Sequence, residues 1–277
     1  MTRAGAWRIV WTGAFAALMT AVVSGVWSAL IFTNLRVTPA IPWSALLMAL
    51  LLGALWAFVG GKWGPVGGRE TRRDLLRAGH VPQNVLVWAL AAGGLFIVAL
   101  AGLWIVLRRL VATPGNPAAD FSALPTVTVV ATLAMAALAG AVSEEAGFRG
   151  YFQGSLERSG LGPAAVLVTA LAMAPLHALT QGFVWPTLVF YLLVDAMLGT
   201  LAYLTKSIRP GIVVHAVGLL VFFGLVWPYD KARRLVWQQG ADAGFWLHAA
   251  QACVFATLSA LAFVQLGRLA KRSRAAM

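Results

Sequence analysis

Two adjacent glutamates are the most unusual feature of this sequence. Glu144 and Glu145 close an almost unbroken apolar run that begins near Pro125. A charged side chain at the centre of a bilayer costs about 2.5–3.5 kcal/mol on insertion scales, so such residues usually face a bundle interior or a cavity. A pair of carboxylates in an apolar setting is suited to general acid–base catalysis, in which one carboxylate activates a water molecule.

Helical spacing predicts different roles for the two acids. Glu145 and Arg149 are four residues apart, so they share one helix face and form an ion pair that braces the helix. Glu144 is rotated about 100° from Glu145 and points elsewhere. We therefore expect one acid to be neutralised locally, while Glu144 faces a cavity and acts as the general base.

Two histidines, His177 and His215, lie on separate apolar helices that could converge on Glu144. Two chemistries remain open for such a set. The histidines could hold a zinc ion whose bound water is the nucleophile. Alternatively, Glu144 could activate water directly while a histidine stabilises the developing oxyanion. Either route hydrolyses an amide or an ester.

The remaining acids fall into two groups. Asp195 is a third acid inside an apolar helix, where it is either a functional acid or a helix-pairing group. The other six acids are expected in loops or at span ends, where water solvates them. They are Glu70, Asp74, Asp120, Glu157, Asp230 and Asp242.

The composition predicts an all-α, polytopic transmembrane helical bundle. Of 277 residues, 60% are hydrophobic and only 11% are charged, whereas soluble domains carry about 25% charged residues. About eight apolar runs are long enough to cross a hydrocarbon core of about 30 Å, and we expect a single integral membrane domain over residues 1–277. The runs span 7–32, 43–59, 85–107, 125–144, 163–178, 186–204, 211–227 and 245–266.

The net charge of +12 indicates membrane orientation rather than nucleic acid binding. With the N-terminus inside, 15 of the 21 Lys and Arg residues fall on the inner side, so both termini are predicted to be cytoplasmic. The basic residues then face anionic lipid headgroups. Basic and aromatic residues are not interleaved as single-stranded nucleic acid requires, so we expect no nucleic acid partner.

Three short motifs resemble those of the CAAX-protease and bacteriocin-processing (CPBP, or Abi) family of intramembrane proteases. They occur in the family's order, as EExxxR at Glu144–Arg149, FxxxH at Met173–His177 and HxxxN at His215–Leu219. Met173 replaces phenylalanine, which is an apolar exchange that packing tolerates. Leu219 replaces asparagine and removes an amide donor, and losing one oxyanion donor can cost about 10²–10³ in rate.

The resemblance implies a fold, a site and a substrate class. It implies catalytic core helices over residues 125–227, in a protein of the bacterial inner membrane. It implies a site formed by Glu144, Glu145, Arg149, His177 and His215, with zinc as the candidate metal at the two histidines. The implied substrate is a membrane-associated or lipid-modified protein or peptide.

Three functions follow from these patterns. The leading interpretation is an intramembrane endopeptidase-like protein. The alternative is a non-catalytic protein of the same fold that acts in binding, immunity or regulation, and Leu219 favours it. A third is a transporter with Asp195 in a proton relay, which predicts paired repeats with broken helices. The sequence has no such symmetry.

Overall fold

The computed structural model describes residues 3–62, 69–112, 124–229 and 234–275. The side chains of residues 3–6, 8, 69–71, 180 and 229 are not described. Every regular element in the described ranges is helical, which confirms the all-α prediction. The α-helices are α1 (Arg3–Val37), α2 (Trp43–Val59), α3 (Arg69–Leu75), α4 (Gln83–Leu110), α5 (Thr126–Glu144), α6 (Gln153–Leu156), α7 (Ala164–Gln181), α8 (Trp185–Thr205), α9 (Arg209–Val221), α10 (Trp227–Tyr229), α11 (Val236–Gln239) and α12 (Ala243–Ala275).

The predicted apolar runs all coincide with helices. Within the described ranges, six segments are long and apolar enough to cross a membrane: Ile9–Val37, Gln83–Leu110, Thr126–Leu161, Trp185–Thr205, Arg209–Val226 and Ala243–Ala275. Two apolar helices, Trp43–Val59 and Ala164–Leu179, are shorter, and Pro175 lies inside the second one. The chain is therefore an integral membrane protein. The number of spans and the cytoplasmic position of both termini remain predictions.

Large apolar side chains are exposed along these helices, as a lipid environment requires. Leu50 and Leu179 are each 73% exposed, Val127 is 71% exposed and Trp11 is 69% exposed. Soluble proteins rarely leave contiguous apolar surface of this extent uncovered. The exposed apolar surface is consistent with helices that are solvated by acyl chains.

The chain divides into two compact units, each assembled from three stretches of sequence. The first unit contains Met1–His80, Ala119–Ala165 and Lys206–Leu220, and the second contains Val81–Ala118, Val166–Thr205 and Val221–Met277. The expectation of a single domain stays a prediction.

Small residues let the elements of the first unit approach closely. Its core joins α2, the segment after α3, α5 and α9 through side chains such as Val59, Ala78, Val142 and Ile212. A Cβ atom on Gly150 would lie 2.5 Å from the backbone oxygen of Leu76. Gly150 belongs to the π-helical segment Glu145–Phe152, which follows α5. Glycine at this position therefore allows the segment after α3 to pack directly against that π-helical segment.

Glu157 corrects one prediction from the sequence. We expected water to solvate it at a span end, but its side chain is only 7% exposed. Its carboxylate accepts two hydrogen bonds from Arg77, at 2.9 and 2.7 Å, and contacts Lys206 Nζ at 2.7 Å. Gln153 Nε2 donates a fourth bond at 3.0 Å. The ion pair could not be predicted from the sequence, because Arg77 and Glu157 are 80 residues apart along the chain.

The other acids of that group divide differently. The side chains of Asp74 and Asp242 are 74% and 49% exposed, as expected for solvated acids. Asp120, Asp230 and the side chain of Glu70 lie outside the described residues.

One ion pair of the second unit joins α4 to the start of α12. Arg109 donates to both carboxylate oxygens of Asp242, at 2.7 and 3.0 Å. The bonds from Arg109, together with one from the backbone N–H of Phe245, lower the pKa of Asp242 to about 2. This pair anchors the first turn of α12 to the last turn of α4.

Candidate active site

The two glutamates lie where the helix changes its winding. Glu144 is the last residue of α5. Glu145 begins a π-helical segment, Glu145–Phe152, that continues α5 without a break. π-Helical turns are rare and occur frequently at functional sites. Each residue of this wider turn is rotated less than in an α-helix, so Glu145 and Arg149 remain on neighbouring faces.

Glu145 is fully buried and has two ionic contacts in the first unit. Its Oε1 atom lies 3.4 Å from Arg149 Nη1 and 3.1 Å from His215 Nδ1. Arg149 is also fully buried. The expected ion pair between Glu145 and Arg149 is therefore present, and the same carboxylate oxygen also faces a histidine of α9.

Glu144 contacts the same histidine from its other edge. Its Oε2 atom lies 3.8 Å from His215 Nε2, and its side chain is 18% exposed. The two glutamates are rotated apart on the helix, yet both carboxylates reach the same ring. The imidazole ring carries one nitrogen on each edge, so a single ring can face two carboxylates that are rotated about 100° apart.

Gly211 is a residue of this cluster that the sequence reasoning missed. It lies in the first turn of α9, and a Cβ atom there would be 2.6 Å from Glu145 Oε2. Only glycine lets the start of α9 approach the carboxylate this closely. The positive end of the α9 dipole favours a negative charge at this place. Gly211 precedes His215 by one helical turn, which is the signal that could have identified it.

Leu219 occupies the position where the family motif has asparagine. It follows His215 by four residues on α9 and therefore lies on the same face. Its Cδ1 atom lies 3.6 Å from where a Cβ atom on Gly140 would be, and Gly140 precedes Glu144 by one turn of α5. Leu219 thus packs one helical turn away from the contact between Glu144 and His215, and it offers no hydrogen-bond donor there.

The second unit contains a separate pair of an acid and a histidine. His177 Nε2, on α7, lies 3.8 Å from Asp195 Oδ1 on α8, and Asp195 is only 1% exposed. The His177 ring stacks on Tyr191 with a centroid distance of 4.3 Å and an interplanar angle of 14°. Tyr191 and Asp195 are four residues apart, so one face of α8 contacts both the ring face and the ring edge of His177.

The predicted site residues are divided between the two compact units. The structure brings Glu144, Glu145, Arg149 and His215 together in the first unit. It places His177 in the second unit with Asp195. The convergence of His177 on Glu144 stays a prediction. The pairing of Asp195 with His177 agrees with the expectation that Asp195 is either a functional acid or a helix-pairing group.

The donors of the first unit do not form a zinc site by themselves. Zinc takes three or four protein ligands. Glu144 Oε2 and His215 Nε2 face each other, but His215 Nδ1 is engaged by Glu145. Across the ranges that the structure describes, no group of three or more His, Cys, Asp or Glu side chains is placed to hold a metal ion. Zinc at His177 and His215 stays a prediction, and the proposed hydrolysis uses no metal.

Hydrogen-bond chemistry limits the protonation states of the cluster. A neutral imidazole carries one N–H, so a ring that donates from Nδ1 to Glu145 presents a bare Nε2 to Glu144. Two acceptors then face each other across 3.8 Å. A proton on Nε2, a proton on Glu144 or a bridging water would supply the missing hydrogen-bond donor between these two acceptors. Each of these places a movable proton beside Glu144.

The comparison with protein families covers the helices that carry both acid–histidine pairs. A family model described as Type II CAAX prenyl endopeptidase Rce1-like matches residues 126–221. No curated protein matches the chain, and no solved structure matches it. The resemblance that we drew from the three motifs is therefore confirmed: the match to the Rce1-like family model extends over residues 126–221, from the start of α5 to the end of α9.

Proposed function

We propose that this protein is an intramembrane endopeptidase in which Glu144 activates water. The contact between Glu144 and His215, at 3.8 Å in an otherwise apolar bundle, is the observation that supports this most strongly. Glu144 is also the more exposed of the two glutamates, at 18% against 0% for Glu145. A general base has to reach both water and substrate, so Glu144 is the better candidate for that role.

In the proposed mechanism Glu144 moves one proton twice. Its carboxylate takes a proton from water while the water oxygen attacks the carbonyl carbon of the scissile peptide bond. The carbon–nitrogen bond then breaks, and the protonated Glu144 returns the proton to the leaving amine. A peptide bond is hydrolysed, and the side chain ends in its starting state.

Glu145 and Arg149 hold His215 in place for this reaction. With Glu144 and Glu145 ionised and Arg149 charged, an imidazolium at His215 makes the buried cluster neutral. Burial favours neutrality, because an uncompensated charge in an apolar interior is costly. An imidazolium also donates from Nε2, and in the proposal this N–H stabilises the oxyanion of the tetrahedral intermediate.

For His177 the proposal depends on the motif order and on its neighbours in the second unit. His177 donates a further hydrogen bond to the developing oxyanion. Asp195, which is buried beside it, orients the ring and balances its charge. The substrate class follows from the family: a membrane-associated protein or a lipid-modified peptide. The location in a bacterial inner membrane is part of the same proposal.

A reconstitution assay tests the function. The purified chain is incorporated into vesicles with prenylated and unprenylated peptides that end in a CAAX sequence, and the products are identified by mass spectrometry. We expect one cleavage position that depends on the lipid. Parallel reactions with a chelator and with added zinc show whether the activity requires a metal. Intact peptides under all these conditions would contradict the proposal.

One observation favours the non-catalytic alternative. The side chain of Leu219 packs beside Gly140, where the family motif has an amide donor. A protein that has lost this donor can keep the fold and bind a lipid-modified partner without cleaving it. In that case the prenylated peptide binds to the vesicles saturably but is recovered intact.

A further inference from the structure

An apolar cavity of about 220 Å³ lies in the first unit beside the helix that carries the two glutamates. Its walls come from α1, α2, the residue after α3, the end of α5 and the π-helical segment Glu145–Phe152. Met19 and Val23 of α1 line it, as do Leu55 and Phe58 of α2 and Leu76 after α3. These side chains offer no charge and no strong hydrogen-bond donor to an occupant.

The cavity is distinct from the cluster around His215. Ser143, near the end of α5, lines it, as do Ala146, Gly147 and Tyr151 of the π-helical segment that follows. Ser143 and Ala146 flank the two glutamates in sequence, and the glutamates themselves are not part of the wall. The occupant of this cavity therefore contacts the same helix as the proposed active site, but through a different helix face.

The length of the cavity suits one part of an acyl chain. On α1 the lining extends from Phe15 to Val23, which are eight residues apart and therefore about 12 Å apart along the axis. A short connection, residues 38–42, joins α1 to α2, so the two helices are antiparallel. The C-terminal end of α2, with Phe58, therefore lies beside Phe15 at one end of the cavity.

Cations gather at that end. Arg72 Nε donates to the backbone oxygen of Phe58 at 2.7 Å, and its guanidinium lies 4.2 Å from the centre of the Phe58 ring. The side chain of Arg73 is 51% exposed, and Lys62 is exposed just after α2. Asp74 lies 3.8 Å from Arg73, so Lys62, Arg72 and Arg73 still leave a net positive charge at this end. A positively charged rim therefore lies next to an apolar slot.

We propose that this cavity is a binding site for one acyl chain of an anionic phospholipid, whose phosphate lies against Arg72, Arg73 and Lys62. The slot excludes charge and fits an alkyl chain. The rim is suited to a phosphate, because guanidinium groups bind phosphate oxygens with charge-assisted bonds. Basic pockets between membrane helices bind anionic headgroups for the same reason. This site does not depend on proteolysis by the chain.

Lipid retention measured by native mass spectrometry tests the proposal on the full-length protein. The protein is released from nanodiscs that contain equal amounts of phosphatidylglycerol and phosphatidylcholine. We expect the wild type to retain one phosphatidylglycerol in preference to phosphatidylcholine. The double variant Arg72→Ala/Arg73→Ala should lose this preference, by about fivefold in affinity for each cation. Arg268→Ala, at an exposed position of α12, is the matched control and should behave as the wild type.

Two variants test whether the chain enters the cavity. Val23→Phe and Leu55→Phe add volume inside it from different helices, and each should reduce retention of phosphatidylglycerol at least tenfold. Leu18→Phe, on an exposed face of α1 outside the cavity wall, is the control. Circular dichroism confirms that each variant is folded, and either folded variant is sufficient for the test.

Three outcomes would overturn the proposal. The first is equal retention of both phospholipids by the wild type. The second is undiminished phosphatidylglycerol in a folded cavity variant. The third is displacement of the lipid by a prenylated peptide at equimolar concentration, because this would assign the cavity to the substrate instead.

Discussion

Glu145 Oε1 and His215 Nδ1 lie 3.1 Å apart in a fully buried part of the first unit. The same oxygen is 3.4 Å from Arg149 Nη1, so a single carboxylate fixes both a histidine and an arginine. This arrangement leaves the opposite edge of the imidazole facing Glu144. In the proposed mechanism Glu145 is therefore the structural acid and Glu144 the general base, although the two are adjacent in sequence.

Replacing each glutamate by glutamine should therefore affect stability differently. Glu145→Gln removes the charged partner that lies 3.4 Å from the buried Arg149, and breaking a buried pair in this way costs about 3–5 kcal/mol. Glu144→Gln removes a contact that is longer, at 3.8 Å, from a side chain that is partly exposed, so it should lower the unfolding temperature by less. Thermal unfolding in detergent, followed by circular dichroism, measures both variants. A larger loss of stability in Glu144→Gln would contradict the assignment.

Gly211→Ala should disturb the cluster without touching a charge. The new Cβ atom would lie 2.6 Å from Glu145 Oε2, and forcing an extra carbon into a packed site costs about 1–3 kcal/mol. We expect lower thermal stability and lower turnover together. Gly53→Ala on α2 is the matched control, because a Cβ atom there meets nothing within 4 Å. Equal behaviour of the two variants would show that Glu145 does not depend on the close approach of α9.

Leu219→Asn should separate an impaired enzyme from a non-catalytic protein. It restores the amide donor of the family motif one turn after His215, and one oxyanion donor contributes about 10²–10³ in rate. We expect a large increase in peptide cleavage if the native chain is an impaired enzyme. Leu220→Asn is the control, because Leu220 is the next residue and is 40% exposed. No activity in either variant would favour the binding function.

The ion pair between Arg109 and Asp242 should give the second unit a specific acid sensitivity. Arg109 lowers the pKa of Asp242 from 3.8 to about 2. An acid whose pKa is depressed by folding stabilises the fold above its unfolded pKa, and this contribution is lost as the pH falls through the folded value. The difference in unfolding temperature between the wild type and Asp242→Asn should be constant above about pH 5, shrink as the pH falls and vanish below about pH 2. Asp74→Asn, at a largely exposed acid, provides the reference.

The fold was largely predictable because lipid imposes a simple rule on sequence. Apolar runs of span length had to become helices, since an unpaired backbone in hydrocarbon is too costly. All eight predicted runs coincide with helices. The polar contacts that tie distant segments together were not predictable. Glu157 appeared to be a solvated acid, because nothing in its neighbourhood indicates that Arg77 folds back onto it.

The candidate site was predictable in composition and only partly in arrangement. The spacing of Glu145 and Arg149 was sufficient to expect their ion pair, since both lie on one helix. The relationship of Glu144 to His215 depends on how α5 and α9 pack, and periodicity contains no information about that. Gly211 was missed for the same reason: its role is to leave space for a side chain from another helix.

The turnover of the Glu144→Gln variant is the most direct test of the central claim. The variant and the wild type are reconstituted in the same vesicles, and cleavage of a prenylated CAAX peptide is measured under single-turnover conditions, with Asp74→Asn as the control. Since general acid–base catalysis contributes about 10²–10⁴ in rate, we predict a loss of at least about 10² in the Glu144→Gln variant and wild-type turnover in the control. A Glu144→Gln variant that cleaves the peptide at the wild-type rate would contradict the claim that this carboxylate activates water.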